Sequence, residues 1–217
     1  MTRQPTRPSP ADVGLVRRQL GREPHPFHRV VARCPWGAPA VVEDLPYDAA
    51  GRPFPTLYWA TCPSLVAAIG RLESGGGVKR FEAAVAGEPE LARSLAAATR
   101  HERRRRRDLV ALYDLPMSDG GASLRTGIGG VSARTTHPSG ASTARPSGAP
   151  TLKCLHAHAA HALARPGYAL GERILAEAAP LYPASDCCTQ GCTPGGTPAQ
   201  TREGAHERRS KRHRPGH

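Results

Sequence analysis

Long apolar runs are absent from this 217-residue sequence. None approaches the roughly 20 residues that span a bilayer, so no membrane segment is expected. The opening stretch, MTRQPTRPSP, is charged and leads into no apolar core, unlike a secretory leader. Aromatic residues make up only 5% and hydrophobic residues only 39%, too few for every residue to belong to a packed core. There is no internal repeat. No Cys-x-x-Cys pair occurs, which excludes the usual redox motif and the paired spacing of zinc ribbons. Gly75-Gly76-Gly77 and Gly127-Ile128-Gly129-Gly130 lack the Lys-Ser/Thr ending of a phosphate loop. Lysine is nearly missing, with Lys79, Lys153 and Lys211 alone among 30 basic residues.

What is present is arginine, glycine, proline and six cysteines. The net charge is +12. The Arg, Ala, Gly and Pro bias matches coding from GC-rich DNA, so the charge speaks less for nucleic acid than its size suggests. A cytoplasmic location is expected by default. Six cysteines there serve as thiols or metal ligands rather than disulfides. The 23 Gly and 22 Pro argue that part of the chain stays unfolded.

The pattern predicts an α+β fold: a small antiparallel sheet of about three strands packed with several helices. Ser9-Pro10-Ala11-Asp12 opens a helix with a capping side chain, a proline at its first position and an early acid, and Gly21 stops it. Strands are expected at Val30–Cys34, Ala40–Glu43 and Phe54–Thr61. Cys62-Pro63 starts a helix striped by Leu65, Val66, Ile69 and Leu72. A short helix over Val78, Phe81 and Val85 and a longer one from Glu90 to Tyr113 follow. The middle of the long helix, His101 to Asp108, is charged on all sides, so it is expected to be solvated and to project. Two more helices are expected, Leu152 to Ala164 and Leu170 to Ala179. The organisation is a disordered start over 1–9, one domain over 10–182 interrupted by a flexible linker over 115–150, and a disordered basic tail over 183–217. Within the linker, residues 123–130 form a candidate ordered island.

Cysteine and histidine carry the candidate chemistry. Cys34 ends a strand, Cys62 joins a strand to a helix, and Cys154 begins a helix followed by His156, His158 and His161. Three such junctions could converge in a sheet-plus-helix core and hold zinc, which needs three or four ligands. If the helix includes Cys154, then Cys154, His158 and His161 share a face. If it starts after Cys154, the extended Cys154-Leu155-His156 stretch chelates instead. The sequence leaves both open. An alternative makes Cys62 a nucleophile activated by a helix start, with a histidine as base. Arg103, Arg104, Arg105, Arg106 and Arg107, with the tail from Thr201, are the candidate contacts for a non-specific nucleic-acid binder. Cys187, Cys188 and Cys192 sit in the tail, where no structural role is expected.

Three stretches resemble a known family: Arg33-Cys34-Pro35-Trp36-Gly37-Ala38-Pro39-Ala40-Val41-Val42-Glu43, Pro53 to Pro63, and Lys153-Cys154-Leu155-His156. Leu20-Gly21-Arg22 and Gly171 to Leu175 fit as well. Together they resemble the actinobacterial domain-of-unknown-function family 501, over residues 11–182 apart from the linker. The resemblance implies no established activity. It implies that the family's motif cysteines and histidine fall on Cys34, Cys62, Cys154 and His156. It thereby favours His156 as ligand, with His158 or His161 as substitutes. Trp36 departs from relatives that resemble Cys-Pro-Cys, so a site using that second thiol would be incomplete here. The expected function is a non-enzymatic, zinc-stabilised interaction domain with a protein partner. The alternatives are a metal- or Cys/His-dependent enzyme and the nucleic-acid binder.

Overall fold

The computed structural model describes residues 8–130, 151–183 and 187–189. The expected disordered segments fall largely outside them, including all of the 201–217 stretch and Cys192. Helix α1 spans Pro10–Leu20. The strands are β1 (Phe27–Arg33), β2 (Pro39–Asp44) and β3 (Tyr58–Ala60). Helices α2 (Pro63–Ser74), α3 (Gly77–Gly87) and α4 (Pro89–Tyr113) follow. Two 3-10 turns, Ser123–Arg125 and Ile128–Gly130, precede α5 (Leu155–Ala164) and α6 (Ala169–Ala178). Among the described residues the architecture is the expected α+β, and no helix is long and apolar enough to cross a membrane.

Local chemistry explains the element ends. Ser9 caps α1 by accepting from the Asp12 amide, and Gly21 closes it in the left-handed region at φ 64°. The third strand is shorter than the expected Phe54–Thr61. Pro53 and Pro55 have no N–H to give the ladder, so pairing is confined to Tyr58–Ala60.

The sheet is antiparallel in the order β1-β2-β3, with Val30 opposite Val42 and Val41 opposite Ala60. All six residues of β2 are buried. Its alternating side chains serve two cores. Val41 joins the main cluster with Tyr58, Leu65, Ile69, Leu155 and Ile174, while Val42 joins Val16 of α1 and Phe27. Helix α5 is apolar nearly all round, as a central helix must be, with Ala157, Ala159, Ala160 and Ala162 buried. Gly171 lets α6 approach it: an added Cβ there would lie 2.6 Å from the Ala162 Cβ and from the His158 carbonyl oxygen.

The middle of α4 corrects the expectation of a projecting, solvated helix. Glu102 and Arg106 are each only 1% exposed. Arg106 donates to the carbonyls of Thr126, Gly127 and Pro55 and to the Glu102 carboxylate. Within the charge run, Arg103 and Arg106 thus reach backbone acceptors of other segments, and Arg105 reaches the Glu43 carboxylate. The same contacts shorten the expected linker. Residues 115–130 lie against the body, with Ile128 and Leu124 buried. Asp119 accepts from Gly121 N, Ser123 N and, at 2.6 Å, the Tyr47 hydroxyl. Burial would raise its carboxyl, but these donors outweigh that and hold it down to about 2. In the stretch expected as tail, Cys187 and Cys188 also pack on the core and Thr189 is buried.

Candidate functional site

Helix α5 has no side-chain cap of its own. Cys154 is its N-cap residue, with extended backbone (φ −157°, ψ 152°) and no capping bond. The acceptor comes from the last turn of α2. Glu73 Oε1 accepts from the Leu155 amide and stands 3.1 Å from His156 Nδ1. The other ring nitrogen, His156 Nε2, is 3.1 Å from the Val66 carbonyl oxygen. Glycine lets the start of α3 lie against both α2 and α5. At Gly77 an added Cβ would lie 3.0 Å from Leu155 Cδ1 and 2.5 Å from the Leu72 carbonyl oxygen.

One ligand atom from each of Glu73, Cys154 and His156 lies within 4.8 Å of the other two. Carboxylate, thiolate and imidazole are the donor types zinc takes, so the three fit such an ion. No fourth His, Cys, Asp or Glu joins the group among the described residues. Burial pushes the Cys154 thiol up, and the Glu73 charge adds to this, so a cation would have to displace its proton. Cys154 and His156 also line a pocket of about 250 Å³ with Thr56, Tyr58, Trp59 and Val66. Val66, expected on the buried stripe, is 36% exposed.

The expected convergence of all three cysteine junctions does not occur. Cys154 and His156 come together, because the helix starts after Cys154. Cys34 and Cys62 belong to the sheet end where β1 and β3 finish and β2 begins, and neither joins the Glu73 group. There Cys34 Sγ is 4.0 Å from Cys187 Sγ, and Cys62 Sγ is 3.3 Å from Cys188 Sγ. Burial, with the Cys188 contact, pushes the Cys62 thiol up to about 12, opposite to the activation a nucleophile needs. Burial would also raise Cys188, but hydrogen bonds from the Ser64 side chain and backbone outweigh it and hold this thiol below its ordinary value.

His158 and His161 occupy the inner face of α5. His158 Nδ1 and the Tyr168 hydroxyl share a hydrogen bond at 2.7 Å. The Glu102 carboxylate is 3.8 Å from His161 Nδ1, beyond hydrogen-bond reach. Nδ1 of His101, Nδ1 of His161 and Nε2 of His158 are buried with no hydrogen-bond partner among the described residues. His101 and His161 line a second, more open cleft of about 580 Å³ with Arg93, Arg104, Arg165 and Tyr168.

The arginine run does not offer five charges to one groove. Arg105 pairs with Glu43, Arg106 is buried, and Arg103 donates to the Thr126 carbonyl. Arg104 borders the open cleft and Arg107 is exposed.

Sequence reading missed Glu73, His101 and the tail cysteines' packing. Glu73 precedes Ser74 and the glycines that end α2, and nothing local marks it as the cap of a helix 82 residues on. Searches of curated proteins and of solved structures found no match. The family described as "Protein of unknown function (DUF501)" matches residues 30–176, a span that starts within β1 and takes in β2, β3, Glu73, Cys154 and His156. The chain therefore belongs to the DUF501 family.

Proposed function

We propose that this DUF501 chain is a non-enzymatic binding domain stabilised by a metal ion, zinc by donor type, held by Glu73, Cys154 and His156. The observation that carries the reading is the gathering of a carboxylate, a thiol and an imidazole within 4.8 Å, from the end of α2 and the start of α5. An ion there would tie α2 to α5 and stabilise the folded chain by mass action. Three protein donors leave room for a fourth from a bound partner, and the adjoining apolar pocket of about 250 Å³ is suited to hold the group that carries it. This differs from a closed four-ligand knot, because Cys34 and Cys62 lie outside the group. Apart from Cys154 and His156 the pocket is lined by Thr56 and by apolar and aromatic side chains, a lining suited to binding.

The test is metal content by mass spectrometry on untagged protein purified under reducing conditions, beside Glu73→Gln, Cys154→Ser and His156→Ala. About one zinc per chain is expected, lost in Cys154→Ser with a lowered melting temperature. Cys34→Ser should keep its zinc. Protein that is metal-free and gains no thermal stability from added zinc overturns the reading.

A further inference from the structure

Four of the six cysteines meet at one end of the sheet in two pairs that are far apart in sequence. Cys34 follows β1 and Cys62 precedes α2, and both are buried. Adjacent residues of the C-terminal stretch face them: Cys187 Sγ lies 4.0 Å from Cys34 Sγ, and Cys188 Sγ 3.3 Å from Cys62 Sγ. A second tie holds the same stretch, since Gln19 of α1 donates to the Thr189 hydroxyl at 3.1 Å. No three of these thiols form a common group within 4.8 Å, so the arrangement is pairwise rather than a thiolate cage for a metal.

We propose that Cys62 and Cys188 are a reversible thiol–disulfide pair, oxidised by low-molecular-weight disulfides, whose bond fastens the C-terminal stretch to the start of α2. The contact of 3.3 Å must shorten by about 1.3 Å to reach the disulfide length. Cys188 is the attacking sulfur. It is half-buried, while Cys62 is 1% exposed, and the Ser64 hydroxyl and amide face it at the first turn of α2. The Cys188 thiolate attacks one sulfur of the small disulfide and releases one small thiolate. Cys62, whose buried thiol is not activated but already lies 3.3 Å away, then attacks the Cys188 sulfur of the mixed disulfide and loses its proton as the new bond forms. Its proton ends on a departing small thiolate, and the second small thiol leaves. Two thiols of the chain are oxidised, and one small disulfide is reduced to two small thiols. The bond closes a loop between residues 126 apart, which restricts the unfolded chain.

Full-length reduced protein is incubated with oxidised glutathione at neutral pH, quenched with iodoacetamide and mapped by non-reducing peptide mass spectrometry. The expected product links the Cys62 and Cys188 peptides, leaves Cys154 alkylated and reverts with dithiothreitol. Its melting temperature should rise by about 10 °C. Cys188→Ser, a change in the C-terminal stretch alone, should abolish the link and the rise. The Cys154→Ser chain should still form it, so this pair and the metal reading succeed or fail separately. A bond between Cys187 and Cys188, a bond through Cys192, or glutathione retained on Cys188 without closure each overturns the proposal. So does zinc that Cys154→Ser retains and Cys62→Ser loses.

Discussion

Glu43, wholly buried on the middle strand, is gripped by Arg105 from α4: Nε and Nη2 of the guanidinium each donate to one carboxylate oxygen at 2.9 Å. Arg29 of β1 adds a third bond at 2.9 Å. Burial alone would raise the Glu43 carboxyl, but the two arginines outweigh it and hold it below its ordinary value. This pairing joins the sheet to the long helix across 62 residues of sequence.

Glu43→Gln keeps the shape and removes the charge. It leaves Arg105 facing the buried strand without its anion, and we expect a loss of about 3–5 kcal/mol in urea unfolding. Arg29→Gln removes a partner whose side chain is 40% exposed, so about 1 kcal/mol or less should be lost. Equal losses for the two would mean that the buried pairing is not the source. Because the folded carboxyl is lowered, its contribution is present at neutral pH. It fades as pH falls below 4.5 toward the folded value.

Arg106 tests the link between α4 and residues 115–130. Arg106→Met strands the carbonyls of Thr126, Gly127 and Pro55 and leaves Glu102 buried without its cation. The expected loss is about 3–5 kcal/mol. Hydrogen exchange should speed up across 117–130 first, while amides of α1 keep their protection. Uniform acceleration over the whole chain would contradict this assignment.

The errors of sequence reading have a common physical origin. Ser9, Pro10, Asp12 and Gly21 act within their own helix, so α1 was legible to the residue. The prolines and glycines around the strands likewise set the sheet. Arg103, Arg105 and Arg106 read as part of a solvated run because their acceptors are a carboxylate on β2 and the backbone carbonyls of Pro55, Thr126 and Gly127. Neither leaves a mark beside the arginines. Cys154 and His156 were legible as donors by their type and adjacency. Glu73 was not, since an acid in a helix's last turn ordinarily faces water. Cys34 and Cys62 face Cys187 and Cys188 of the C-terminal stretch, partners that nothing beside them in the sequence announces, while Cys154 groups with Glu73 and His156.

His158 is expected to make the core sensitive to acid. Burial, aided by neighbouring His161, pulls its ring down to about 3 from an ordinary 6.5. The folded ring is neutral while the unfolded ring takes a proton, so stability is complete above 6.5 and drains as pH falls toward 3. Within that window the slope from one such group is about 1.4 kcal/mol per pH unit. His101, pulled down to about 4 by burial and by Arg165, acts in the same direction. His158→Asn keeps an acceptor near the Tyr168 hydroxyl and cannot titrate. Its urea midpoint should fall less steeply between pH 6 and 4, and an unchanged slope would assign the sensitivity elsewhere.

Gly171→Ala probes the α5–α6 contact. The new methyl meets Ala162 Cβ and the His158 carbonyl oxygen at 2.6 Å, so the helices must part. The expected loss is about 1–3 kcal/mol by thermal or urea unfolding. Adding Ala162→Gly should restore part of it despite the glycine's own cost, giving a favourable coupling between the two changes. Strict additivity would show that the backbone contact alone decides.

The cap that Glu73 lends to α5 has a consequence for the order of synthesis. On the ribosome the sheet, α2 and α4 emerge before any residue of α5 exists, so Val41, Tyr58 and Leu65 lack their central packing partner. Helix α5, with no side-chain cap of its own, meets both its hydrogen-bond acceptor and its apolar seat on segments synthesised before it. The N-terminal segments are therefore the template and the C-terminal helical pair is the late-arriving wedge. Until the wedge arrives, the nascent chain carries an uncovered apolar surface of the kind chaperones bind.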